Sequence, residues 1–111
     1  MNTDIIKKNF EEYYEIAVYS FEKEKYNSAV TLFYKALVEI CDIELVKKTG
    51  LIGANHSERF QLLEKHSPEL YSIASKMFTY YRDSYNKQIS KTIAKIVKDN
   101  LENAKRIVFN N

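Results

Sequence analysis

The chain has 111 residues, 45% hydrophobic and 29% charged, a composition that gives one folded domain and excludes both a disordered segment and two separate cores. Seventeen basic against fifteen acidic side chains leave a net charge of +2, too balanced for bulk electrostatics alone to hold nucleic acid. Two glycines and one proline are too few turn residues for a sheet protein, so the expectation is an all-α fold, an antiparallel four- to five-helix bundle over residues 1–111.

The first helix is expected to begin at Thr3 or Asp4, both good N-caps. Ile6, Phe10, Tyr13, Tyr14, Ala17, Val18 and Phe21 then recur at helical steps, until the charged run from Glu22 to Lys25 breaks the pattern. A second helix is predicted from Asn27 or Ser28. Its apolar stripe (Ala29, Val30, Phe33, Ala36, Leu37, Ile40, Cys41) is widened by Tyr34 and Leu45, which predicts a central position. Lys47 and Lys48 suit its C-terminal dipole, and Gly50 and Gly53 mark a loop.

Asn55 with Glu58 three residues on fits a capping box, opening a short third helix through Phe60, Leu62 and Leu63. Ser67-Pro68 starts the fourth, with serine as cap and proline at the first helical position. It carries Leu70, Ile73, Ala74, Met77, Phe78 and Tyr81. The stretch from Arg82 to Ser90 is more polar. Two readings stay open there: one long helix through to the C-terminus, or a fifth helix capped by Ser90 and bearing Ile93, Val97, Leu101, Ala104 and Val108.

Cys41 is the single cysteine, and its apolar neighbours predict a buried thiol rather than a nucleophile. With no disulfide possible, no apolar run near the ~18 residues of a membrane span, and a charged N-terminus, the expected location is the cytoplasm, off the membrane. His56 and His66 lie ten residues apart without a second cysteine, so no metal site or other cofactor is expected. Between Lys87 and Arg106 six basic residues stand against two acidic ones, Asp99 and Glu102. That is a solvated helix face or, alternatively, a phosphate-binding one.

The segment Tyr80-Tyr81-Arg82-Asp83-Ser84-Tyr85-Asn86-Lys87 stands out. On a helix Arg82, Tyr85 and Asn86 share a face, as do Tyr81 and Tyr85. An arginine so placed can grip phosphate by two parallel hydrogen bonds while tyrosines stack on a base. The competing reading is that Arg82 is neutralised by a carboxylate, Asp83 or a glutamate of the first helix.

The order of these pieces resembles the HEPN (higher eukaryotes and prokaryotes nucleotide-binding) superfamily over nearly the whole chain. The likeness rests on the amphipathic first helix, the second helix Tyr26 to Leu37, the short helix opening His56-Ser57-Glu58, and the late Tyr81-Arg82-Asp83. It implies a helical bundle that pairs as a homodimer around a shared cleft, and often a small nucleotidyltransferase partner in a toxin–antitoxin pair. Many HEPN ribonucleases carry a histidine four to six residues after the arginine. Here positions 87 to 89 are Lys87, Gln88 and Ile89. A lysine with a pKa of about 10.4 is a poor base at neutral pH, so the expected role is non-catalytic binding of RNA, a nucleotide or a partner protein. Arg82, Asp83, Tyr85, Asn86, Lys87 and a folded-in His56 are the expected ligand-binding residues. The alternatives are a metal-independent endoribonuclease toxin using Arg82 with His56, and a pure protein-interaction bundle.

Overall fold

The computed structural model describes residues 3–109. They form five helices: α1 (Asp4–Glu22), α2 (Tyr26–Thr49), α3 (His56–His66), α4 (Pro68–Asp83) and α5 (Lys91–Phe109). There is no strand among the described residues. The all-α bundle is the architecture the composition predicts.

Helix α2 is the axis of the molecule and packs against each of the other four. Its buried residues run round most of it, from Ala29, Val30 and Phe33 to Tyr34, Leu37, Ile40, Cys41, Ile43 and Leu45. A helix buried over most of its circumference, with only a narrow strip through Lys35 and Glu39 left open, belongs at the centre of the bundle. Helix α1 returns antiparallel along it through the tight turn at Lys23–Lys25, where Glu24 takes a left-handed conformation (φ 61°). Phe10 and Ala17 of α1 enter the core. Helix α5 also packs on α2, burying Ala94, Val97, Leu101, Ala104 and Val108. Tyr14 of α1 donates a short hydrogen bond to Glu102 of α5, and the Lys105 ammonium lies 4.1 Å from the centre of the same tyrosine ring.

Local chemistry sets most of the boundaries. Gly50 ends α2 in the left-handed conformation (φ 75°) that a side chain would strain. Gly53 packs against the first turn of α3, and a Cβ there would lie 2.6 Å from the Arg59 backbone nitrogen. Asn55 caps α3 by accepting from the Glu58 backbone N–H at 2.9 Å, and Pro68 occupies the first turn of α4. Two expected caps differ. Neither Thr3 nor Ser67 uses its side chain as a cap; Ser67 is buried and hands over directly from α3 to α4.

The chain after Asp83 does not continue as helix, so α4 and α5 are two helices. The cause is on α2. That helix begins at Tyr26, one residue ahead of the expected Asn27, and the Asn27 side chain is spent across the bundle. Its amide nitrogen donates to the carbonyls of Ser84 (2.9 Å) and Lys87, and its amide oxygen accepts from Ile89 N–H at 2.9 Å. The Thr31 and Ser84 hydroxyls meet at 2.8 Å beside it. One asparagine thus satisfies three backbone groups that a continuous helix would have paired internally. Ser90 then caps α5, accepting from Ile93 N–H at 3.2 Å. No described helix is long and apolar enough to cross a membrane.

Candidate functional site

Helix α4 delivers Tyr80 to Asp83 of the segment singled out in the sequence; Tyr85, Asn86 and Lys87 lie past its end, so the single helix face expected for Arg82, Tyr85 and Asn86 does not form. Arg82 is exposed, and its guanidinium carbon lies 5.4 Å from the centre of the Phe78 ring one turn back. No carboxylate among the described residues pairs with it. The expected neutralisation by Asp83 or by a glutamate of α1 does not occur, because Asp83 is turned to Lys87 at 3.3 Å. Tyr85 and Asn86 follow in a tight turn, their backbone N–H groups donating to the carbonyls of Arg82 and Asp83. Tyr85 is 64% exposed. Its hydroxyl meets that of Tyr81 at 2.8 Å with the two rings edge to face. Asn86 and Lys87 are exposed.

His56, remote in sequence, is folded to the same end of the bundle. As the first residue of α3 it sits against Phe78 (ring centres 5.1 Å apart), Tyr81 (6.0 Å) and Phe60 (6.4 Å). Phe78 therefore touches both His56 and Arg82. The imidazole Nδ1 is buried and has no hydrogen-bond partner. Burial, followed by the nearby charges of Arg59 and Lys35, lowers the pKa of His56 against a smaller opposing pull from Asp42. The ring is thus held neutral near pH 7.

Behind Tyr81 lies a cleft of about 300 Å³ between α2 and the start of α3. From α2 come Tyr34, Lys35 and Glu39, and from α3 come His56 and Arg59. Tyr81 stacks on Tyr34 at 4.6 Å, and burial together with its hydrogen bond to Tyr85 pushes its pKa up to about 12. Arg59 is committed elsewhere: it grips Asp42 with two hydrogen bonds, 2.8 and 3.3 Å. Burial opposes the charge on Arg59, but the hydrogen bonds and charge of Asp42 outweigh it and hold the guanidinium protonated. Glu39 is half-buried, and desolvation, reinforced by Asp42, raises its pKa.

Sequence reasoning missed this cleft. The available signal was Asp42 inside an apolar run, since a carboxylate buried between Cys41 and Ile43 demands a cation from elsewhere in the chain. Cys41 itself is fully buried, and burial pushes its thiol up to about 12, which leaves it unreactive. Among the described residues no group of three or more His, Cys, Asp or Glu side chains could hold a metal ion.

The fold and this end of the bundle define a class: a small five-helix protein presenting a cation, exposed tyrosine and a polar cleft at one place. No protein-family model, curated protein or solved structure matches the chain.

Proposed function

We propose that this chain is a HEPN-like bundle that binds RNA or a nucleotide without cleaving it, acting in the cytoplasm as a homodimer. One observation carries the reading: Arg82 is exposed, lies over Phe78, and has no carboxylate partner among the described residues. A guanidinium held by an aromatic ring keeps its planar donor edge for a phosphate and loses little side-chain freedom on binding. Tyr85, three residues on in the chain and joined to Tyr81, offers an exposed ring to a base. Asn86 and Lys87 extend the polar surface, and Asp83 restrains the Lys87 ammonium. The test is binding of a labelled single-stranded RNA. Arg82→Ala should weaken it about ten-fold or more without lowering the melting temperature. Equal binding by the variant overturns the reading in favour of a protein-interaction bundle.

A second reading, a metal-independent ribonuclease, is favoured by one feature, the Phe78 ring shared by His56 and Arg82. A neutral imidazole can accept a proton from a 2′-hydroxyl. RNA incubated with the protein in EDTA should stay intact; cleavage abolished by both Arg82→Ala and His56→Ala would establish the nuclease instead. Sedimentation velocity tests the homodimer. A nucleotidyltransferase partner, which the HEPN resemblance implies, is tested by co-purification with the product of the adjoining gene.

A further inference from the structure

The cleft behind Tyr81 holds polar groups that the fold leaves without partners among the described residues. Lys35 and Glu39 stand one turn apart on α2, a spacing at which lysine and glutamate commonly pair. No ion pair joins them. The Lys35 ammonium lies 5.9 Å from the centre of the Tyr81 ring, and the Glu39 carboxylate lines the cleft. Glu39 makes no hydrogen bond with Arg59, whose Nε and Nη2 bind Asp42, although the Arg59 charge does act on the carboxylate. A half-buried carboxylate without a donor is costly unless something supplies one. His56 lines the same cleft, although its unpartnered Nδ1 is sealed from solvent and offers a ligand nothing.

The complementary ligand has a flat ring for the Tyr81 and His56 side, two adjacent N–H donors for the carboxylate, and an acceptor oxygen for the ammonium. Among the nucleobases guanine meets all three, through N1–H, its exocyclic amine and O6. Adenine turns the lone pair of N1 towards a carboxylate, which repels it. Uracil offers one N–H between two carbonyls. The volume of about 300 Å³ is at the small end for ligand sites and suits one base. We infer that this cleft is a guanine-selective base pocket, with Glu39 reading the two donors and Lys35 the carbonyl. The inference rests on the RNA- or nucleotide-binding reading above and adds its base preference.

Isothermal titration of the intact chain with GMP, AMP and ribose 5-phosphate tests it. GMP should bind about ten-fold or more tighter than AMP, the discrimination expected of a bidentate contact. Ribose 5-phosphate should bind weakest. Glu39→Gln, which keeps the shape but turns one acceptor into a donor, should bring GMP down to the level of AMP without lowering the melting temperature. Lys35→Ala should weaken GMP more than AMP. Equal affinities for GMP and AMP, or unchanged GMP binding in Glu39→Gln, overturn the pocket. If guanosine and uridine oligomers bind equally and through Arg82, the pocket is overturned while the binding reading stands; if no nucleotide or RNA binds, both fall.

Discussion

His56 is a base whose surroundings favour its neutral form. Burial comes first, the charges of Arg59 and Lys35 add to it, and Asp42 opposes them. The unfolded chain protonates this ring around pH 6.5, while the folded one resists until the pH is lower. Below about pH 6.5 the unfolded state therefore binds more protons, and stability falls as the pH drops towards the folded pKa. Above that window the effect is absent. Glu39 works with the opposite sign, because its raised pKa makes the fold gain as the carboxylate takes up a proton. Comparing His56→Phe with wild type separates the two. The variant should lose the decline in melting temperature between about pH 6.5 and 5 that wild type shows beyond the Glu39 contribution. Parallel melting curves across that range would remove the account of a desolvated imidazole.

At the scale of elements, the α4–α5 junction depends on one amide. Asn27 donates to the Ser84 and Lys87 carbonyls and accepts from Ile89 N–H, and only an amide in this orientation satisfies all three. Asn27→Asp replaces the donors with an oxygen facing two carbonyls. It should cost about 2 kcal/mol and lower the melting temperature by about 10 °C. Fast hydrogen exchange at Ile89 should accompany it, and an unchanged exchange rate there would mean that the loop holds itself. The same junction shows what the sequence could not disclose. The caps at Asn55, Gly50 and Ser90 are legible because their chemistry lies within three residues of the boundary. The start of α2 reads one or two residues late because Asn27 looks like a local cap and serves a segment some sixty residues away. Asp42 and Arg59, paired across 17 residues, leave no local spacing signal either. The spacing of four that joins Tyr81 to Tyr85 is legible in the sequence, but the shared helix face of Arg82, Tyr85 and Asn86 is not what forms, because α4 ends at Asp83, and the cleft needs α2 and α3 to be brought together.

For the whole molecule, the question is which surface meets an anion when the net charge is only +2. The basic residues of α5 offer less than their number suggests. Lys95 pairs with Asp99 at 3.1 Å and Lys105 with Glu102 at 3.5 Å. At the end of α4 the balance differs: Arg82 and Lys35 have no carboxylate partner among the described residues, and Lys87 has only an exposed ion pair, weak enough for a phosphate to displace. With Lys35 turned to the base, Arg82 and Lys87 as two phosphate contacts on single-stranded RNA should give log K against log salt a slope of about −1.4, and Arg82→Ala should flatten it by about 0.7. Lys91→Glu, on exposed α5 surface, should leave the slope as it is. A slope of about −4 or steeper that Lys91→Glu flattens would move the binding face to α5, and the arginine at the end of α4 would then be a bystander.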